Sequence, residues 1–153
     1  MLIGIPPILG PDLLATLRAM GHGDELAIVD GNYPALDHAR RLIRADGHGL
    51  LAVLDAVLML LPLDHVVDYP VLRTGWANDP TLVTPIHDEI DAIVARRANG
   101  RWIQPVAGEA FYARVRTCHT VIATSEPALY ANVILRKGVV APPDPTVTPY
   151  VAP

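Results

Sequence analysis

A histidine set between two glycines is the first candidate for chemistry in this sequence. Residues 21–23 are Gly-His-Gly, and the small neighbours of His22 leave both sides of its imidazole open to a ligand. Histidine can give and take a proton near neutral pH, so His22 is a candidate general acid or base. The alternative interpretation is a loop histidine whose nitrogens are satisfied by backbone contacts.

Asp30 is the second candidate, because it ends an apolar run. Residues 25–30 (ELAIVD) predict a buried strand. Ligands commonly bind at the carboxyl ends of strands in α/β sheets, which places Asp30 where a ligand-binding carboxylate is expected. We expect Asp30 to hold either His22 or a hydroxyl of the ligand.

A phenol and a carboxamide precede the last apolar strand. Tyr130, Ala131 and Asn132 lie between a turn-like Ser-Glu-Pro and the apolar residues 133–135. The side chains of Tyr130 and Asn132 can donate hydrogen bonds to sugar hydroxyls and accept hydrogen bonds from them, although alone this is a weak signal. Trp76 and Trp102 fit a core or an interface as well as a platform for a sugar.

A metal site is the competing interpretation of the early histidines. It would draw on five side chains: His22, Asp24, Asp37, His38 and His48. No pair among them has the i, i+4 spacing of a metal-binding helix. The single cysteine, Cys118, cannot form an internal disulfide and predicts a reducing compartment, with its thiol buried as a small hydrophobe. We therefore expect neither a metal nor another cofactor.

Alternating helices and strands are predicted to position these groups. Apolar residues repeat at helical spacing over residues 11–20, 48–61, 86–97 and 109–116. Compact apolar runs predict strands over residues 25–30, 66–72, 102–106, 120–124 and 131–135. This alternation predicts an α/β sheet covered by helices on both faces.

Composition limits the class of protein. The chain has 153 residues, which suits one domain, with 51% hydrophobic and only 18% charged residues. Soluble chains carry roughly 25% charged residues, so we expect an apolar face to be buried in a homo-oligomer. A net charge of −4 gives no overall basic surface, which argues against a nucleic-acid-binding protein.

No segment has the features of a membrane span or a secretory signal. The most apolar stretch, residues 50–61, includes Asp55 and is shorter than the about 20 residues that a membrane helix needs. Residues 1–9 have no basic start, so a cytoplasmic protein without membrane contact is predicted. We expect a domain over residues 1–140 and an extended, proline-rich tail over residues 141–153.

Several segments match one protein family in their order and spacing. They are GIPP (4–7), LL (13–14), MGHGDELAIVDGNYP (20–34), IRADG (43–47), LLPLD (60–64), FYAR (111–114) and YANVILRKG (130–138). Together they resemble the RbsD/FucU family of sugar mutarotases and pyranases, up to about residue 140. The forms GHGDE and IRADG are similar to the fucose branch more than to the ribose branch.

The resemblance implies a fold and an activity. The fold is a three-layer α/β/α, RbsD-like arrangement with a mixed, largely parallel sheet. The activity is interconversion of the α and β anomers of a free monosaccharide, with L-fucose expected, by acid–base ring opening without a cofactor. Relatives form ring-like assemblies, commonly decamers, so the resemblance implies a pocket completed at a subunit boundary.

The resemblance also assigns roles to residues. The histidine matching His22 is the family's proton donor, and the aspartate matching Asp30 contacts the sugar. The stretch matching Tyr130, Ala131 and Asn132 is the second sugar-binding segment.

One departure from the family pattern concerns Gly108. The family places an arginine there in the fucose branch and a histidine in the ribose branch, so a sugar contact is lost unless Arg44 or Arg114 supplies the charge. His119 stands where the family commonly has an aromatic residue, which suggests contact with the pocket or an interface.

Three alternatives to a fucose mutarotase stay open. The first is a pyranase-type interconversion of D-ribose, which the departure at Gly108 raises. The second is a non-catalytic sugar-binding accessory to transport. The third is a metal-dependent isomerase that uses the early histidines.

Overall fold

A mixed sheet forms the centre of the protein. The computed structural model describes residues 2–98 and 103–141, which contain six strands in the order β2-β5-β1-β6-β3-β4. The strands are β1 (Glu25–Val29), β2 (Leu42–Ala45), β3 (Val71–Arg73), β4 (Ile103–Pro105), β5 (Thr120–Thr124) and β6 (Val133–Arg136). The pairs β1–β5, β2–β5 and β3–β4 are parallel, whereas β6 runs antiparallel to β1 and β3. The predicted mixed, largely parallel sheet is confirmed.

Helices cover both faces of this sheet. The helices are α1 (Pro11–Ala19), α2 (Ala35–His38), α3 (Leu50–Leu58), α4 (Pro85–Ala98) and α5 (Gly108–Val115). Side chains alternate between the two faces of a strand. Leu26 and Ile28 of β1 therefore join the core formed with α1, α3 and α4, whereas Ala27 and Val29 join a second core with α2 and α5. The three-layer α/β/α fold is confirmed.

Local sequence explains where the helices lie. Pro11 occupies the first turn of α1, where a missing N–H costs no intrahelical hydrogen bond. In α4, Asp88 lies in the first turn and Arg96 and Arg97 in the last, as the helix dipole favours. The helix α3 is hydrophobic nearly all round because it packs against β1 and α4.

Some elements differ from the sequence prediction. The strand predicted over residues 66–72 is limited to Val71–Arg73, because the chain before it forms bends. The edge strand β2 and the single-turn helix α2 were not predicted. Residue 102 of the predicted fourth strand and residues 142–153 of the tail lie outside the described residues. Among the helices described, none combines the length and the hydrophobicity needed to cross a bilayer.

Candidate active site

Asp30 and Asn132 lie side by side at the carboxyl edge of the sheet. Because β6 is antiparallel to β1, the residue that precedes β6 meets the residue that follows β1. The Asp30 N–H donates to Asn132 Oδ1 at 3.0 Å, and Asn132 Nδ2 donates to Asp30 Oδ2 at 3.0 Å. Both side chains are buried. The structure therefore brings together two of the residues singled out in the sequence.

The Asp30 carboxyl is buried but accepts several hydrogen bonds. Burial raises the pKa of Asp30, whereas hydrogen bonds from the Asn32 N–H, Asn132, and the backbone of Tyr33 and Ala131 lower it; burial has the larger effect. A carboxyl with a raised pKa binds a proton more readily than an exposed aspartate. Asp30 is therefore suited to accept a hydrogen bond or a proton from a hydroxyl.

Tyr130 stands at the same edge in an uncommon backbone conformation. Its φ is 60°, in the left-handed region that non-glycine residues rarely adopt. Its ring packs edge-on against Trp76, with the ring centroids 5.3 Å apart, and Trp76 is 41% exposed. An accessible indole and a phenol thus lie together on the edge that carries Asp30. The side chain of Ala131 is buried in the core, so only its backbone can serve a ligand.

Gly108 is the first residue of α5, and it packs against the side chain of Asn78. A Cβ at position 108 would lie less than 3.0 Å from the Asn78 side chain. The Asn78 Oδ1 is buried and has no hydrogen-bond partner among the described residues. An uncharged amide therefore fills the space beside Gly108. Of the two arginines considered as replacements, Arg44 pairs with Asp46, and Arg114 pairs with Glu25 at the opposite edge of the sheet.

His22 lies at that opposite, amino edge, and its partner is Asp64. The Nε2 atom of His22 is 3.1 Å from Asp64 Oδ2, and the His22 side chain is 47% exposed. Asp64 is buried and also accepts a hydrogen bond from Arg136 Nε at 2.9 Å. Burial opposes ionisation of Asp64, but hydrogen bonds from Arg136, the Val66 N–H and His22 outweigh it and lower its pKa to about 2. The ionised Asp64 fixes the orientation of the His22 imidazole through this contact.

Of the two partners expected for Asp30, a hydroxyl of the ligand or His22, the second is out of reach within one chain. The two residues flank β1, whose five residues rise about 3.3 Å each, so they are on the order of 16 Å apart. Sequence reasoning missed the role of Asp64, although the residue lies in the segment LLPLD that carries the resemblance. No periodicity marks a buried acid whose partners are distant in sequence.

The other candidate side chains are distributed over separate places. His119 lines a cleft of about 490 Å³ at the amino edge; burial, then the neighbouring Arg41 guanidinium, lowers its pKa. His38, one of the candidate metal ligands, forms hydrogen bonds with Tyr33 and Arg116. Within residues 2–98 and 103–141, no group of three or more potential metal ligands lies together.

The chain is similar to known proteins over most of its length. A family model described as the RbsD / FucU transport protein family matches residues 3–140. A protein named fucose mutarotase from Bos taurus is 41% identical over 150 residues, which cover 94% of this chain and 97% of that protein.

Solved structures with the same fold include two from bacteria. The fucose mutarotase from Streptococcus pneumoniae, in complex with L-fucose, has a TM-score of 0.85 and 38% identity, covering 92% of this chain and 100% of that chain. FucU from Bifidobacterium longum has a TM-score of 0.84 and 40% identity, and the match covers 90% of this chain and 99% of that chain. These matches confirm the resemblance inferred from the sequence. The chain belongs to the RbsD/FucU family.

Proposed function

We propose that this protein is a sugar mutarotase, which interconverts the α and β anomers of a free monosaccharide, with L-fucose as the first candidate. The observation that carries the proposal is an accessible His22 oriented by the buried, ionised Asp64. The names of its relatives, and the bound L-fucose in a structure of the same fold, support this choice of substrate.

The reaction requires proton transfers at two oxygens. Mutarotation opens the ring when the ring oxygen gains a proton and the anomeric hydroxyl loses one; reclosure on the other face of the carbonyl returns both protons. His22 donates the proton to the ring oxygen, and Asp64 holds the imidazole in position for the transfer. Asp30, with its raised pKa, accepts a hydrogen bond or a proton from a sugar hydroxyl.

Tyr130 and Asn132 hold the sugar while its ring is open. Their polar atoms lie on the edge that carries Asp30, where they can donate to and accept from hydroxyls. Ala131 contributes its backbone, and Gly108, packed against Asn78, supplies no charged contact to the sugar. This chemistry needs no metal or redox group, because only protons move.

A sugar can contact His22 and Asp30 together only if two subunits share the site. Within one chain the two residues stand at opposite edges of the sheet, so His22 of one copy must face the carboxyl edge of another. We therefore propose a homo-oligomer, a decameric ring by analogy with the family, located in the cytoplasm. Exposed apolar side chains support an assembly: Leu36, Val66, Leu82, Val83 and Leu129. Residues 1–140 would form its repeating domain, followed by the tail.

Exchange between sugar anomers tests the proposal directly. Saturation-transfer NMR measures α/β exchange of L-fucose with the wild type, with His22→Ala and with the control His48→Ala, an exposed histidine beyond the edge strand. General acid catalysis contributes typically 10²- to 10⁴-fold, so His22→Ala should lose at least about 100-fold, whereas the control should keep its rate. Unchanged exchange in His22→Ala would refute the role of His22.

The same measurement separates the alternatives. The chain lacks the fucose-branch arginine at Gly108, where the Asn78 amide packs instead, so D-ribose stays the second candidate substrate. A panel of free sugars, including L-fucose and D-ribose, ranks them by accelerated exchange. Saturable binding with exchange at the buffer rate would identify a non-catalytic accessory, and loss of activity on chelation would identify a metal-dependent isomerase.

A further inference from the structure

We propose that His87 and Thr74 are positioning residues, which hold Tyr130 in the conformation that meets the sugar. The inference rests on the proposed function, because it takes Tyr130 to contact the substrate. The starting observation is the left-handed backbone of Tyr130, which a residue with a side chain adopts only when its surroundings hold it there.

Two donors from different elements meet the carbonyl oxygen of Tyr130. Thr74, which follows β3, donates its hydroxyl at 2.5 Å, and His87 of α4 donates its Nε2–H at 3.0 Å. Thr74 and His87 are both fully buried. A carbonyl oxygen can accept two hydrogen bonds, so these donors satisfy it and fix the orientation of the Tyr130 peptide.

The tautomer of His87 is determined by Thr84. The Thr84 backbone N–H donates to His87 Nδ1 at 3.0 Å, and the Thr84 hydroxyl lies 3.0 Å from the same atom. Because Nδ1 accepts, the proton of the neutral ring resides on Nε2 and points at Tyr130. A buried histidine bonded on both nitrogens is a rigid donor.

These contacts also connect Tyr130 to the Asp30–Asn132 pair. The Thr74 N–H donates to the Asn132 carbonyl at 3.1 Å. Thr74 is therefore hydrogen-bonded to the backbone of both Tyr130 and Asn132. On the other side, the Tyr130 ring packs against Trp76, two residues after Thr74. Loss of the two donors would let Tyr130 relax to a negative φ, which redirects its ring relative to Asp30. Thr74 and His87 therefore set the geometry of the sugar contacts without touching the sugar.

Matched substitutions separate positioning from stability. Thr74→Val and His87→Leu remove the donors at similar volume, whereas Thr74→Ser and His87→Gln keep an O–H or N–H. Val94→Ala is the control, because Val94 is fully buried in the same helix α4 and packs in the core. The first readout is KM and kcat for L-fucose anomer exchange, at a temperature at which every variant is folded. The second is the fluorescence of Trp76 without sugar, in a Trp102→Phe background.

We expect Thr74→Val and His87→Leu to raise KM about tenfold, as for the loss of one buried hydrogen bond, with a smaller change in kcat. The Ser and Gln variants should stay within about twofold of the wild-type KM. Val94→Ala should lower the melting temperature and leave both KM and the Trp76 emission unchanged. An unchanged KM in Thr74→Val and His87→Leu would overturn the proposal, whether or not the fluorescence changes.

Failure of the proposed function is recognised separately. If the wild type accelerates exchange of no sugar, the mutarotase assignment fails, and Trp76 fluorescence then decides whether the two donors hold Tyr130. A changed emission in Thr74→Val and His87→Leu, but not in Val94→Ala, supports the positioning of Tyr130. An emission equal to that of the wild type overturns it.

Discussion

The close approach of Gly108 and Asn78 predicts strong coupling between these positions. In Gly108→Ala the new Cβ would lie less than 3.0 Å from the Asn78 side chain. Overpacking of this kind costs about 1–3 kcal/mol, whereas replacing glycine by alanine in a helix gains up to about 1 kcal/mol. We therefore expect Gly108→Ala to lower the free energy of unfolding by about 1–2 kcal/mol.

The substitution Asn78→Gly should remove this cost. Asn78 has a φ of 64°, which glycine adopts without strain. The substitution also removes a buried amide oxygen that has no hydrogen-bond partner among the described residues; an unsatisfied group of this kind costs about 1–3 kcal/mol. In the Asn78→Gly background, Gly108→Ala should be neutral or stabilising. The coupling free energy between the two positions should then be about 1–3 kcal/mol.

Urea unfolding of the four proteins measures this coupling. Protein concentration must be equal throughout, because the stability of an oligomer depends on it. Gly10→Ala is the matched control, since Gly10 is the N-cap of α1 and a Cβ there would meet nothing within 4 Å. The lower entropy of the unfolded chain and the poorer N-cap have opposite signs, so the net effect should stay within about 0.5 kcal/mol. If Gly108→Ala costs the same with and without the Asn78 side chain, the packing argument is wrong.

Two further predictions follow from the shifted pKa values. The lowered pKa of Asp64, about 2 against 3.8, means that its ion pairs stabilise the fold above about pH 4 and are lost as the pH falls toward 2. Asp64→Asn should therefore cost roughly 2 kcal/mol at pH 6, and a pH-independent difference in unfolding free energy would contradict this. Burial raises the pKa of Cys118 to about 12, so the native thiol should resist a disulfide reagent at pH 8 and react once the protein is denatured; rapid native labelling would refute this.

Much of the fold was predictable from the sequence, because buried elements carry continuous or periodic apolar patterns. The strand β5 matches its predicted bounds, since Thr120–Thr124 is buried on both faces. The helix α4 was also predicted closely, from its apolar spacing and terminal charges. In contrast, the edge strand β2 is four residues long and contains the exposed Arg44, so neither alternation nor a continuous apolar run marks it.

The candidate site was only partly predictable. Asp30, Tyr130 and Asn132 were identified individually, but their meeting depends on the antiparallel direction of β6, which no local pattern specifies. The pairing of His22 with Asp64 depends on a contact between distant segments. The proton-transfer roles and the sugar contacts stay predictions until the exchange measurements are made.

The central position of β1 has a consequence for how the chain is made. Its neighbours in the sheet, β5 and β6, are the last two strands described, and the hydrogen bonds between Asp30 and Asn132 join residues 102 positions apart. A growing chain on the ribosome therefore holds β1 with both edges unpaired until most of the protein has been synthesised. Such non-local pairing slows folding and exposes edges that aggregate. The Asp30–Asn132 pair of the candidate site thus forms late in folding, and a chain that stops before β6 lacks it.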